Sequence, residues 1–281
     1  NSKLELIIEI SEKHSLGLDS NLKTYLIPEG IEYDSINNYL YVADGSWNRV
    51  LVFNVSTIDN GESAAFVLGQ PDFTSTDAAT TQTGMDTPTS LAFDPTQKYL
   101  YVADSGNKRV LVYNVSDGLD VEEEAMNVIG QSGFATSAGG TTSVLFGDDG
   151  TGNAISGITY DSTNDYLYVS DLGNARIMGF DVSGGVTNSM AASYVLGASD
   201  FVTQGGDISQ SAFRDLGGLD FDPTNERLFV AGATDDRVLV FSTANISNGM
   251  NASYVLGQSS FTDDTAATTQ GGLNMPIDVA Y

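Results

Sequence analysis

The sequence predicts an all-β fold assembled from one repeated unit of four short antiparallel strands. Three observations carry that prediction. Three short phrases recur in fixed order along the 281 residues, each recurrence reads as a strand bounded by turn residues, and no segment keeps a helical period. A fixed period of this length is the mark of a repeat architecture.

The first phrase, Tyr39-Leu-Tyr-Val-Ala-Asp44, returns at Tyr99–Asp104, at Tyr166–Asp171 and, altered, at Arg227–Gly232. The second, Arg49-Val-Leu-Val-Phe53, returns at Arg109, Arg176 and Arg237. The third, Val67-Leu-Gly-Gln70, returns at Val128, Val195 and Val255, with glycines spaced 61, 67 and 60 residues apart. In the second unit the four strands are expected at Thr89–Asp94, Tyr99–Asp104, Arg109–Asn114 and Ala125–Gly130. Asp94-Pro-Thr-Gln and Asp222-Pro-Thr-Asn are turns, with Pro at the second place and Asp accepting backbone N–H groups.

From the turn Asp of strand one to the Gly of strand four the counts are 35, 36, 36 and 35, whereas from that Gly to the next Asp they are 25, 31 and 25. The body is therefore fixed by packing, and the extra length sits in one loop near Gly147–Asn153. Four-stranded antiparallel units repeated radially make a β-propeller, which hides most sheet edges. The expectation is four complete blades, about residues 30–70, 89–131, 156–198 and 217–258, plus partial blade strands at both termini. Residues 1–29 supply an outer strand and a linker, with Leu4–Ile10 as strand four of a neighbouring blade. Asn274–Tyr281 aligns with Asp86–Phe93, which makes residues 275–281 strand one of a further blade. With no initiator Met, the chain reads as processed or as a piece of a longer propeller. Closure on itself and strands donated by a partner, another copy included, rank after that.

Composition limits the chemistry. Acids outnumber bases 37 to 11, for a net charge of −26, and four of the bases are the repeated arginines. No basic patch is left for phosphates, so no nucleic acid partner is expected, nor an anionic membrane surface. No apolar run reaches the length of a membrane span. There is no cysteine and a single histidine, His14, which removes thiol chemistry and multi-His sites.

Leu-Tyr-Val-Ala-Asp followed by a Gly/Asn turn and Asn-x-Arg-Val or Asn-Arg-Val resembles the NHL-repeat β-propellers. Here the matching residues are Asp44…Asn48-Arg49, Asp104…Asn107-Lys-Arg109 and Asp171…Asn174-Ala-Arg176, and the resemblance spans residues 30 to 281. The fourth copy departs, with Gly232 and Asp235-Asp236 before Arg237. The long Gly-Gln-x-x-Phe…Thr-Thr-Gln linkers resemble those of bacterial secreted or surface members. The resemblance implies a propeller of about six blades, placed outside the cell or on its surface.

Each Asp and the Arg five residues later (Asp44/Arg49, Asp104/Arg109, Asp171/Arg176) can meet across a hairpin. Repetition in most blades assigns these pairs, with Arg237, to structure. The linkers are far longer than ordinary connections. Near-identity between copies assigns Phe73, Phe134, Phe201 and Phe261 to packing, as plugs between blades. Thr80, Thr81, Gln82, Gln210, Thr268, Thr269 and Gln270 form a polar loop face suited to a protein or glycan, and Trp47, in a turn, is a contact candidate. Gly147–Asn153 resembles a calcium loop in composition only, with Asp148, Asp149 and Asn153 as candidate ligands. Calcium is the one metal the composition suits, and no other cofactor is expected. Sequons at Asn54, Asn114, Asn245 and Asn251 are compatible with glycosylation.

Two classes of function follow. The favoured reading is a non-catalytic extracellular or cell-surface module that binds or scaffolds a partner. The alternative is a metal-dependent propeller enzyme, a lactonase, hydrolase or lyase. Similar enzymes gather ligands at the inner strand tips, which here are Glu32, Ser90, Ser156 or Gly157, and Gly217 or Gly218, without a converging ligand set.

Overall fold

The computed structural model describes residues 28–120, 122–148, 150 and 152–281. The expected outer strand at Leu4–Ile10, and His14, lie outside the described residues. The described chain forms four antiparallel sheets of four strands each. Blade one is β1 (Pro28–Asp34), β2 (Tyr39–Asp44), β3 (Arg49–Asn54) and β4 (Phe66–Leu68). Blade two is β5 (Pro88–Asp94), β6 (Tyr99–Asp104), β7 (Arg109–Asn114) and β8 (Asn127–Ile129). Blade three is β9 (Ile155–Asp161), β10 (Tyr166–Asp171), β11 (Arg176–Asp181) and β12 (Tyr194–Leu196). Blade four is β13 (Leu219–Asp222), β14 (Arg227–Gly232), β15 (Arg237–Ser242) and β16 (Tyr254–Leu256). Each sheet runs as a simple meander, and the innermost strands β1, β5, β9 and β13 pack side by side. The fold is a β-propeller with four blades described.

Strand four is shorter than expected, three residues instead of about six. Ala125 spends its N–H on Gln82 O (3.1 Å), in the preceding linker, before the ladder begins. The strand ends where Gly69, Gly130, Gly197 and Gly257 take φ of 86°, 90°, 88° and 86°. A side chain is strained in that conformation. It also has no room, because Met85, Phe146, Phe213 and Leu273 lie against these four glycines.

Those four residues fill the place assigned to the linker phenylalanines. Met85, Phe146 and Phe213 are fully buried, whereas Phe73 is 48% exposed. Phe134, Phe201 and Phe261 are half-buried against the core. Phe73 is therefore not a plug between blades. What its position contributes in every blade is a carbonyl. Arg49 Nη1 donates to Phe73 O (2.6 Å), Arg109 Nη1 to Phe134 O (2.5 Å), Arg176 Nη1 to Phe201 O (2.6 Å), and Arg237 Nη1 to Phe261 O.

The same guanidiniums meet the carboxylates expected of them. Arg49 Nε donates to Asp44 at 2.8 Å, Arg109 Nε to Asp104 at 2.6 Å, and Arg176 Nε to Asp171 at 2.7 Å. All six side chains are buried. Arg109 Nη2 also donates to Thr81 O and Gly84 O (both 2.9 Å), in the linker from blade one. One cation thus ties its own hairpin to two linkers. Burial raises the Asp104 carboxyl to about 6 against the pull of Arg109, the Asp86 N–H and Asn107. Asp171 shifts the same way for the same reason.

In blade four Gly232 supplies no carboxylate. Asp235 substitutes from inside the turn, at 3.3 Å from Arg237 Nη2, and also holds Arg214 Nε at 2.9 Å. Arg237 Nε is left without an acceptor.

Residues 275–281 lie where strand one of a further blade would lie. Gly218 N–H donates to Ile277 O (2.8 Å), Tyr281 N–H donates to Asp220 (2.7 Å), and Tyr281 stacks on Phe229. They form no strand ladder, because an innermost strand pairs with strand two of its own blade, and the described residues contain no such partner.

Two stability measurements check this account. Asp104→Ala leaves Arg109 buried without its counter-charge and should cost about 3–5 kcal/mol, read as a lower urea midpoint. Phe146→Ala should cost about 3–5 kcal/mol, while Phe73→Ala should stay within about 0.5 kcal/mol of the parent chain. The reverse order would return the plug to the linker phenylalanines.

Candidate functional site

The blades repeat closely except where they face the axis. Two residues before the turn Asp of strand one stand Glu32, Ala92, Thr159 and Asp220, and Ala280 in the aligned terminal segment. Four before it stand Gly30, Ser90, Gly157 and Gly218, with Asp278 aligned to them. The turn aspartates, by contrast, are the same in all four blades, and so are their bonds. Asp34, Asp94, Asp161 and Asp222 each accept the N–H groups two and three residues on.

All of these divergent positions but Gly157 line an axial cavity of about 910 Å³. Its wall combines carboxylates (Glu29, Glu32, Asp220, Asp278), hydroxyls (Ser90, Ser156, Thr159) and apolar groups such as Leu91 and Val279. No Lys, Arg or His is among the described lining residues. Asp220 is held rigidly: Oδ1 accepts the Phe221 N–H (2.7 Å) and the Thr159 hydroxyl (3.3 Å), and Oδ2 accepts the Tyr281 N–H. Asp278 lies over the bare Cα of Gly218 and accepts the Val279 N–H at 2.9 Å. Ser90 and Ser156 turn to neighbouring strands, Ser90 Oγ accepting the Ile158 N–H (3.1 Å) and Ser156 Oγ donating to Gly217 O (3.0 Å).

Glu32 is half-buried in this wall. Desolvation raises its carboxyl from the ordinary 4.5 to about 8, with the charges of Asp220 and Asp34 adding to the rise and the Tyr33 N–H opposing it. Partial enclosure and the nearby Asp220 also raise Asp278. At neutral pH burial therefore favours the protonated form of Glu32. No group of three or more His, Cys, Asp or Glu among the described residues is placed to hold a metal ion.

Several of the sites expected in the loops make contacts within the fold, and the others lie exposed or outside the described residues. The Thr80 hydroxyl donates to Asn107 Oδ1 (2.6 Å), Gln82 Nε2 to Ala125 O (2.9 Å), and Gln210 Nε2 to Ala252 O (2.8 Å). Thr81 offers its carbonyl to Arg109. Thr268, Thr269 and Gln270 are exposed in the last linker. Trp47 lies under the Arg49 guanidinium, 4.5 Å from its centre, and is half-buried. Asp148 accepts the Gly150 N–H (2.9 Å) and pairs with Lys108 Nζ (3.1 Å), Asn153 is exposed, and Asp149 lies outside the described residues. Sequence reasoning named Glu32 and Ser90 as strand tips but missed Asp220 and Asp278. The signal was available in the variation at one aligned position inside otherwise constant blades.

A family model described as lactonase, 7-bladed β-propeller, matches residues 10–200. The chain belongs to the seven-bladed lactonase β-propeller family. That description has seven blades, against the about six that the NHL resemblance implies. No curated protein matches this lactonase-type chain. Solved structures similar to it include U3-55K, with a TM-score of 0.50 and 12% identity over 79% of this chain and 50% of that one. The WD40 repeats of RRP9 align at 0.49 and 12%, over 79% and 49%. The chain thus spans about half the length of the solved structures it matches. No described helix is long and apolar enough to cross a membrane.

Glu32 sets a pH dependence whose sign is fixed. Its folded value lies above its unfolded value, so the folded chain keeps a proton that the unfolded chain releases. Its contribution to stability is complete below about pH 4.5 and is lost as the pH rises through 8. Thermal melts should show stability falling across that window, and Glu32→Gln should flatten the fall. A parent profile flat from pH 5 to 8 would contradict the placement of Glu32.

Proposed function

We propose that this chain is a binding module that receives a cationic group of its ligand in the axial cavity. The observation that carries the reading is the loss of repeat symmetry at the axis. Blade bodies repeat because packing fixes them, whereas the inner positions change from Glu to Ala, Thr, Asp and Ala. Polar groups converging on a cavity of this size are the usual form of a small-ligand site. Its wall carries four carboxylates and no base, which selects positive charge. A basic side chain of a protein partner and an amino sugar both present that group. The Asp…Asn-x-Arg turns that resemble NHL repeats and the excess of acidic residues support placing the module outside the cell or on its surface.

The family match supports a second reading, hydrolysis of a lactone in the same cavity. Glu32, protonated near neutrality, is the residue placed to give a proton to a leaving oxygen. The fold by itself does not choose between the two, since one fold carries many chemistries.

Calorimetry separates them. Titration with glucosamine or a lysine-containing peptide near pH 7 should give binding heats that vary with the ionisation enthalpy of the buffer. The cation drives a proton off Glu32, and Glu32→Gln should abolish that release. Glucose serves as the uncharged control. Equal binding of glucose and glucosamine would sink the cation reading, and turnover of a lactone panel lost in Glu32→Gln would establish the second.

A further inference from the structure

The geometry points to a protein partner that docks on the face formed by the strand one–two turns and inserts one lysine side chain into the axial cavity. Such a partner presupposes the cation site proposed above, and it fixes the face from which that site is entered.

The register of the innermost strands sets the direction. Glu32 stands two residues before the turn residue Asp34, and Asp220 two before Asp222. At about 3.4 Å per residue, both acids lie about 7 Å along the strand from the turn face. Pro28, where β1 leaves the linker side, is four residues from Glu32, or about 14 Å away. The acids are therefore shallow from one face and deep from the other.

A constriction lies on the deep side. Two residues nearer the linker face come Gly30, Gly157 and Gly218. A Cβ added at Gly30 would stand 2.8 Å from Thr89 O, and one at Gly157 would stand 2.9 Å from Gly218 Cα. Neighbouring innermost strands touch at this level, as glycines in strands allow. Strands ringed about an axis stand closest to it where they stand closest to each other, so this level is the waist of the channel. A cationic group coming from the linker face would have to pass it.

The turn face also suits a protein surface. Its rim is tied from blade to blade. Asn37 Nδ2 donates to Val115 O (3.2 Å), Gln97 Nε2 to Val182 O (2.7 Å), and the Thr163 hydroxyl to Pro223 O (3.4 Å). Each donor belongs to a turn and each carbonyl to the following blade, so the rim is one preformed surface. The exposed residues of these turns, among them Ile36, Pro95, Thr96, Thr163, Pro223 and Thr224, carry no charge. A partner can cover them without stripping water from an ion, and it meets the carboxylates of the wall only at the centre. An uncharged rim around a recessed acidic centre complements a loop with one basic residue at its tip. The four-carbon stem of lysine spans the depth to Glu32 and Asp220, and its compact ammonium suits a narrow recess better than a planar guanidinium. A free amino sugar gains nothing from the rim.

Blocking one face at a time tests the direction. The chain has no cysteine, so Thr96→Cys on the turn face and Asn153→Cys, two residues before β9 on the linker face, can each be coupled to polyethylene glycol. Both positions are exposed and neither lines the cavity. The probe is a cyclic hairpin peptide with lysine at its turn, and the same peptide with glutamine there is the control. The lysine hairpin should bind the parent chain and the Asn153→Cys conjugate, and should lose binding to the Thr96→Cys conjugate. Any other pattern across the two conjugates, or equal binding of the glutamine hairpin, overturns the proposal. Glucosamine is small enough to pass either polymer. Glucosamine binding without hairpin binding removes the protein partner and leaves the cation site, whereas failure of both removes the two together.

Discussion

Everything in this propeller hangs on a buried guanidinium. A β-blade is stable only when its faces are covered by its neighbours, so the long connections between blades must hold them at one distance. Arg49, Arg109, Arg176 and Arg237 do that work. Each donates to a linker carbonyl at the position of Phe73, Phe134, Phe201 or Phe261, and the first three are neutralised within their own hairpin. An arginine suits the place because its planar fork offers several donors in fixed directions and keeps its charge when buried. The carboxylate beside it is needed because an unpaired buried cation is costly. Gln70, Gln131 and Gln258 add a second clamp, each donating from Nε2 to a turn carbonyl and to a linker carbonyl seven residues on.

Blade four shows how tightly that arrangement is constrained. Gly232 removes the usual carboxylate, yet the arginine is retained and a carboxylate comes from Asp235, three residues further along. The replacement is imperfect. Its contact is longer than the other three, Arg237 Nε has no acceptor, and Asp235 is shared with Arg214. The next residue, Asp236, takes over the role of Asn48, whose Oδ1 accepts the Thr87 N–H, by accepting the Met275 N–H at 2.7 Å. A blade can therefore lose the identity of its turn but not the charge pair under the linker.

The strands and the Asp–Arg pairs were legible in the sequence because both obey the repeat. A residue that recurs at one position in a strand of period two must face the same way in every blade. The linkers were only half legible. Phe73 and its counterparts recur, but recurrence does not tell a ring from a carbonyl, and here the shared contact belongs to the backbone. The true plugs, Met85, Phe146, Phe213 and Leu273, share only apolar bulk, so no phrase flags them. They are found through the left-handed glycine each one covers. The axial residues were obscured for the opposite reason. Asp220 and Asp278 stand 58 residues apart and far from Glu29 and Glu32 in sequence order, and only the packing of the innermost strands side by side brings them to one cavity.

That cavity also shows where repetition and function part. Packing between blades tolerates little change, so the body converges on one sequence, while the side chains that face the axis are not bound by that packing. Of 22 lining residues four are acids and none is a base, on a wall otherwise apolar or hydroxylated. Burial in that wall raises Glu32 first, the charges of Asp220 and Asp34 crowded beside it add to the rise, and Glu32 holds its proton to about pH 8. A neutral ligand gains nothing from that crowding. On the proposed binding reading a cation relieves it twice, by attracting Asp220 and Asp278 and by releasing the proton of Glu32. An ester would use the same proton differently, as the acid that departs with its leaving oxygen. Both proposed readings therefore rest on one property of the wall, a proton held on Glu32 above its ordinary value, and they differ in whether that proton is displaced or transferred.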